Sequence, residues 1–355
     1  MTKRPLPHSR PTLDDRDIAA VSKALSSGQV SMGPAVAAFE DRFARKLGVR
    51  QAAAVSSGTA ALHLSLLALG VGKSDDVIIP THVCTALLNA VNYVGARPVL
   101  ADVDYADGNI SAADVKKKLT RRTRAIIVPH LWGEPADLGA LLKLGVPVVE
   151  DCAQATGALY KGKPVGTLGR IGVFSFYATK MLTTGEGGMV VANDQRLMKA
   201  VRDRLSYDHR EDWQVRFNYK LSDLQAALGS SQLDRLDQFI ERRRNLAAIY
   251  GEGLKGTGVT LPQGRAGSAG VAYRFVIKVG NAASFIKRAQ AAGIQCERPL
   301  FRPLHRYLGL KGFPVSERLM QESVSVPIYP SLKDSDARSI SRELRKLFDK
   351  PQARP

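Results

Sequence analysis

Cysteine is scarce in this chain: Cys84, Cys152 and Cys296 are the only three in 355 residues. An odd number at those separations offers neither a disulfide framework nor the paired spacing of a zinc site, so no metal is expected and a reducing cytoplasm fits best. Long apolar runs are missing too. The most apolar stretch, 52–72, contains Ser56, Ser57, Gly58, Thr59, His63 and Ser65, which argues against a membrane span. Residues 1–11 hold charges and three prolines without an apolar segment, so a secretory signal is not expected. There is no internal repeat and no extended low-complexity segment. The expectation is a soluble cytoplasmic protein that does not engage a membrane.

Negative charge is in deficit, with 33 Asp plus Glu against 51 Lys plus Arg and a formal net charge of +18. The basic clusters Lys116-Lys117-Lys118, Arg121-Arg122 and Arg242-Arg243-Arg244 lie in helix-like stretches and lack the interleaved aromatics of a single-strand groove. A solvated basic face or attraction of anionic metabolites is therefore expected rather than a nucleic-acid partner. With 45% hydrophobic and 24% charged residues, the chain has material for a sizeable core, and its length predicts two domains.

The first helix signal is Thr12-Leu13-Asp14-Asp15, followed by Ile18, Val21 and Leu25 at helical spacing, with Gly28 as the stop. A second amphipathic helix opens at Pro34, buries Val36, Phe39, Phe43 and Leu47, and stops at Gly48. Seven short apolar runs follow, at 52–55, 77–80, 98–102, 125–129, 146–150, 171–176 and 188–192, alternating with helical stretches. Continuous rather than alternating apolar runs are the pattern of strands buried on both faces, which predicts an α/β domain with a mostly parallel seven-stranded sheet. Residues 221–254 read as one long helix, with an interruption at Gly229 as the alternative, linking to a smaller α+β domain that contains a strand at 273–279. The boundaries are 1–239 and 240–355, and the tail 350–355 is expected to fray.

Three constellations carry chemistry. Ser56-Ser57-Gly58-Thr59 follows a strand and opens a helix, where unpaired N–H groups can hold a phosphate; a plain Ser/Thr cap reads the same way. Asp151, in Val148-Val149-Glu150-Asp151-Cys152-Ala153-Gln154, stands at the carboxyl end of a buried strand, where ligands collect. A carboxylate there needs a positive partner, such as a protonated ring nitrogen, unless it merely caps a helix. Lys180 follows Phe174-Ser175-Phe176-Tyr177 and precedes a glycine-rich turn. It is either a partly desolvated amine able to form an imine or a lysine snorkelling at a strand end. Together they match what pyridoxal 5'-phosphate requires: a phosphate cradle, an anion for the pyridine nitrogen and an amine for the aldehyde.

The runs "SSGTAALHLSLLALGVGKSDDVIIP", "HLWGEPADL", "VVEDCAQATGA", "FSFYATKMLTTGEGGMVV" and "FNYKLSDLQAALG" resemble the DegT/DnrJ/EryC1/StrS sugar aminotransferases, from about residue 6 to 330. The resemblance implies the aspartate aminotransferase fold. It makes Lys180 the lysine of the internal aldimine and the proton shuttle. Asp151 becomes the partner of the pyridine nitrogen, Gln154 the side chain near the ring hydroxyl, and Gly58, Thr59 and Ser175 the phosphate contacts. Asn218 would reach the neighbouring subunit's phosphate, which implies a homodimer with shared sites. His8, Ser31, Gly33 and His305 match, by position, segments near the sugar nucleotide. Where many members stack an aromatic on the ring, this chain has Cys84, with His82 two positions earlier, and either could cover it.

The activity so implied is transfer of an amino group from an amino acid, with glutamate the expected donor, to a nucleotide-linked keto-sugar through a pyridoxamine phosphate form. A dehydratase-like outcome and a non-catalytic, cofactor-binding regulator are the alternatives. Retention of Lys180, where the dehydratase branch has histidine, favours transamination.

Overall fold

The structure, a computed structural model, describes residues 6–349; the expectation of a frayed tail at 350–355 lies outside the described residues. The described residues form twelve strands and thirteen α-helices, numbered in chain order. The main sheet uses β1 (Gln51–Val55), β2 (Asp76–Pro80), β3 (Arg97–Ala101), β4 (Thr123–Pro129), β5 (Val148–Asp151), β8 (Ile171–Ser175) and β9 (Gly188–Ala192), in the order β1-β9-β8-β5-β4-β2-β3. Only β9 runs against the rest. β2, β8 and β9 are buried along their whole length, as expected of strands covered on both faces.

Short strands β6 (Leu159–Tyr160), β7 (Lys163–Pro164) and β10 (Ser268–Ala269) form a second sheet, and β11 (Phe275–Lys278) pairs antiparallel with β12 (Ser323–Val326). The helices are α1 (Asp15–Ser26), α2 (Pro34–Leu47), α3 (Gly58–Ala68), α4 (Ala86–Tyr93), α5 (Ala112–Lys118), α6 (Leu138–Leu142), α7 (Gln195–Arg204), α8 (Asp223–Leu233), α9 (Leu236–Leu254), α10 (Ala282–Ala291), α11 (Leu304–Tyr307), α12 (Pro314–Glu322) and α13 (Asp334–Asp349). None of the described helices is long and apolar enough to cross a membrane.

Apolar side chains fill both faces of the main sheet. Val36, Phe39, Phe43 and Leu47 of α2 meet Phe174 and Phe176 on one face, and Leu62, Leu64 and Leu66 of α3 meet Val77, Ile79 and Val190 on the other. A separate core gathers Tyr250, Phe275, Ile277, Phe285, Val324 and Leu344. Helix α9 joins the two bodies: Leu236 and Ile240 belong to the sheet core, and Leu246, Tyr250 and Leu254 to the second.

Two helical readings are corrected. Residues 221–254 form two helices, broken at Asp234-Arg235 and not at Gly229. Gly229 stays helical because Phe39 packs where its side chain would be, with an added Cβ falling 2.7 Å from Phe39 Cζ. At the break, the buried Arg235 donates to Asp17 at 2.6 Å. That pair also corrects α1, which is capped by Asp14 and turns Asp17 inward, leaving Ile18 and Leu25 65% and 60% exposed. The spacing found the stripe but could not tell that it faces outward. Strand β11 is also shorter than the 273–279 run, which frees Tyr273 and Arg274 for the site.

Candidate active site

β1, β2, β4, β5 and β8 all point the same way, so the segments that follow them meet along one edge of the sheet, where ligands of open α/β sheets bind. They present Ser56–Gly58, Thr81–Thr85, His130–Gly133, Cys152–Gln154 and Phe176–Lys180. Opposite them lie Tyr273-Arg274 and the loop 299–302. Between the two groups is a cavity of about 360 Å³ lined by His82, Cys84, Trp132, Gln154, Lys180, Tyr273, Arg274, Phe301, Arg302 and Tyr307, among others.

One end of this edge is a cradle of backbone. Ser57 caps α3, its hydroxyl accepting from Ala60 N–H at 3.0 Å. The Gly58 and Thr59 amides have no protein acceptor among the described residues. Gly58 lies against Ser175, where an added Cβ would sit 2.9 Å from Ser175 Cβ, and a Cβ on Gly188 would come within 2.5 Å of Ser57 O. Glycine at both positions leaves the room that an anion needs to reach the helix N-terminus.

Asp151 ends β5, buried, its Oδ1 accepting from Ala153 N–H at 3.0 Å. Burial pushes its carboxyl above the usual range, and Lys180 and His130 only partly offset that. Lys180 is half-buried, with Nζ 5.3 Å from the centre of the Tyr273 ring and no ion pair among the described residues. Burial raises the Tyr273 phenol, but Lys180, Arg274, the Thr179 hydroxyl and Arg243 together bring it below its ordinary value. Cys84 opens onto the cavity with close walls, and burial pushes its thiol up, within reach of Asp151 and Lys180 charge. His82 is bonded through Nδ1 to Ser316 Oγ at 3.1 Å, while its buried Nε2 has no partner among the described residues. Burial, with His305 adding to it, holds His82 down at about 4, so the ring is neutral.

Gln154 Oε1 accepts from Trp132 N–H at 2.9 Å. Trp132 adopts φ 59°, a left-handed conformation that is strained for a bulky residue, and its carbonyl accepts from Arg274 N–H at 3.1 Å. Beneath Asp151, His130, Glu150 and Cys152 converge, but Glu150 already accepts from Gly166, Leu168 and Gly169 N–H as well as from His130. A carboxylate so fully engaged is a brace for the strand ends.

Not every expected residue reaches the cavity. Asn218 is exposed, one residue before Tyr219, whose carbonyl accepts from Ser56 N–H at 2.8 Å. Gly33 N–H donates to Asp223 at 2.8 Å and the Ser31 carbonyl accepts from Asp223 N–H, which pins that segment to α8 away from the cavity lining. His305 lies outside the lining with both nitrogens engaged, Nδ1 with Thr81 at 2.7 Å and Nε2 with Glu317 at 2.6 Å, and stacks on Phe313. His8 is buried behind Arg274. Sequence reasoning missed Tyr273, Arg274 and the 299–302 loop, for which only an apolar strand and a short Pro-rich run were visible.

A family model described as the DegT/DnrJ/EryC1/StrS aminotransferase family matches residues 11–345. The chain belongs to this family. It is 34% identical to GDP-perosamine synthase of Escherichia coli O157:H7, over 97% of this chain and 98% of that one. Among solved structures, the aminotransferase TlmJ from Streptoalloteichus hindustanus aligns with a TM-score of 0.92 at 35% identity, covering 96% of this chain and 98% of that one. DesV of S. venezuelae aligns at 0.91 and 33%, covering 97% and 100%. The aspartate aminotransferase-like fold and the mostly parallel seven-stranded sheet agree with the sequence reading.

As a family member the chain is an aminotransferase dependent on pyridoxal phosphate. Its residues fit that group. The glycine cradle admits a phosphate, the raised Asp151 carboxyl lacks a full cationic partner that a protonated pyridine would supply, and Lys180 presents an uncommitted amine.

Proposed function

We propose that this enzyme moves an amino group from an amino acid, L-glutamate, to a keto-sugar carried on a nucleoside diphosphate. The juxtaposition of Lys180, buried Asp151 and the Gly58–Ser175 cradle on one sheet edge carries this reading. Pyridoxal phosphate, when bound, supplies a carbonyl that condenses with amines and a ring that draws off electrons. The chain supplies the rest. Gly58, Thr59 and Ser175 hold the phosphate, and Asp151 keeps a proton on the ring nitrogen. With the cofactor bound, Lys180 Nζ would hold it through its aldehyde and would be placed to move a proton to and from the substrate carbon. Gln154 orients the ring hydroxyl, and Cys84 or the neutral His82 ring covers the ring face. Tyr273, beside Lys180, keeps that amine aimed into the cavity.

Because one cofactor serves both half-reactions, the kinetics are ping-pong: glutamate leaves as 2-oxoglutarate before the sugar binds. Relatives named for GDP-perosamine make GDP-linked keto-sugars the first acceptors to test. His8, Ser31, Gly33 and His305 are the positions assigned to sugar-nucleotide recognition, His305 through the wall it braces. The working unit is a homodimer in the cytoplasm. Exposed Leu13, Ile18 and Leu25 around α1, together with Trp213 at 89% exposure, support an apolar contact with a second copy, and the exposed Asn218 is free to reach its partner's phosphate. The domains meet near residue 240, within α9. No observation favours the dehydratase or the regulatory alternative.

The test is turnover of L-glutamate with GDP-linked keto-sugars, followed by 2-oxoglutarate release and by mass spectrometry of the sugar. Amino-sugar formation supports the reading. Glutamate conversion without any amino-sugar product across nucleotide-linked acceptors overturns the acceptor class.

A further inference from the structure

The cavity carries more positive charge than the cofactor phosphate accounts for, since that group is held by the cradle at the Ser57–Gly58 turn. Arg274 projects into the cavity with no carboxylate within ion-pair distance among the described residues. Its neighbours are arranged to hold it without neutralising it. The Arg274 N–H donates to Trp132 O at 3.1 Å, and Nη1 donates to the His8 ring, 3.2 Å from Nε2. Ser325 Oγ lies 2.9 Å from the same nitrogen, and Glu297 faces His8 Nδ1 at 3.4 Å on the other side, which places the ring proton on Nδ1. Burial and the Arg274 charge push His8 down to about 3, so it is a neutral acceptor. Arg243, buried, anchors the adjacent Tyr273 carbonyl at 3.0 Å.

The position of this guanidinium is informative. Arg274 Cζ lies 5.5 Å and Lys180 Nζ 5.3 Å from the centre of the same Tyr273 ring, so the fixed cation and the reactive amine flank one side chain. An α-amino acid reacting at Lys180 carries a carboxylate one carbon from its amine. An arginine lining the same cavity beside the same ring, with no carboxylate paired to it among the described residues, is suited to bind it through two parallel N–H···O bonds.

We propose that Arg274 is the residue that recognises the donor's carboxylate, held ready for it by His8. This rests on the aminotransferase reading and adds to it a residue that selects amino acids over other amines. Anionic oxygens also occur in the diphosphate of a sugar nucleotide; the inference assigns Arg274 to the carboxylate.

The experiment uses holoenzyme of wild type, Arg274→Gln and Arg274→Lys, each checked for an unchanged cofactor absorption band. Calorimetric titration with glutarate, a dicarboxylate without an amine, reads carboxylate binding apart from turnover, and titration with GDP reads the diphosphate. A charge-assisted pair of this kind predicts roughly tenfold to hundredfold weaker glutarate binding in Arg274→Gln, partial recovery in Arg274→Lys and unchanged GDP affinity. In stopped-flow mixing, the wild-type preference for L-alanine over L-alaninamide should collapse in Arg274→Gln by a similar factor. Equal glutarate affinity in wild type and Arg274→Gln, no glutarate binding in wild type, or loss of GDP binding alone would each overturn the assignment. If glutarate binds through Arg274 but no amino acid bleaches the band, the aminotransferase reading fails while the carboxylate site stands.

Discussion

The two walls of the cavity are built in different ways. The floor is made of strand ends and a helix start, where Gly58, Gly188 and Ser175 approach so closely that one added methyl group meets backbone or Cβ below 3 Å. The roof is made of side chains from Tyr273 to Tyr307, including Phe301, which is 87% exposed at the mouth. A floor of that kind fixes the cofactor and the reacting atoms. A roof of that kind can vary with the substrate. Chemistry is therefore set by the floor and specificity by the roof, and each half of that statement can be broken by mutation.

The largest effect is expected at the floor. Asp151→Asn removes the buried anion that a ring cation would pair with, and loss of one partner of a buried pair is worth about 3–5 kcal/mol, or roughly 10²- to 10⁴-fold in the glutamate half-reaction. Rapid-mixing absorbance checks it, and a variant within tenfold of wild type would place the ring nitrogen elsewhere. Next, Gly188→Ala forces a Cβ to 2.5 Å from Ser57 O. Overpacking of that kind is worth about 1–3 kcal/mol in stability and weakens cofactor retention, readable by thermal unfolding and by dialysis of the bound cofactor.

Away from both walls, in a neighbouring pocket it shares with Trp132 and Arg244, stands Glu134, whose Oε2 is buried without a partner among the described residues. Burial, reinforced by Asp107 and opposed by Arg244, raises its carboxyl to about 7. A carboxyl raised in the fold contributes stability below its unfolded value near 4.5, and that contribution is lost as pH climbs to about 7 and then levels off. Glu134→Gln should flatten that part of the stability profile, raising the melting temperature relative to wild type at pH 8 more than at pH 5. An unchanged slope would mean the carboxyl is solvated. The smallest stability effect belongs to the roof: Phe301→Ala should shift stability by less than about 0.5 kcal/mol while changing KM for the sugar acceptor. A folding defect there would dissolve the distinction between the walls.

The same contrast explains what could be read from the chain alone. Ser57-Gly58, Asp151 and Lys180 each sit next to a buried strand, so local pattern placed them at the sheet edge before any tertiary information was available. Arg274 and Phe301 arrive from more than ninety residues further along and carry no local mark of their destination. Glycine helped at the cradle but misled at Gly229, where close packing against Phe39 holds the helix intact. In α1 the spacing of Ile18, Val21 and Leu25 identified a helix, yet the buried partner of that helix is a charge, Asp17 on Arg235, which periodicity does not register. His305 illustrates the opposite error: histidine invites a site role, and here both nitrogens are spent on Thr81 and Glu317.

The most direct test of the central claim, that Lys180 is the reacting amine above Asp151, is the absorption spectrum of the purified protein with pyridoxal phosphate, before and after L-glutamate, beside Lys180→Ala. The account predicts a visible band in wild type that glutamate bleaches to the pyridoxamine form, and a variant that shows neither the band nor the bleaching. A visible band of equal strength in Lys180→Ala, bleached by glutamate at the wild-type rate, would contradict it.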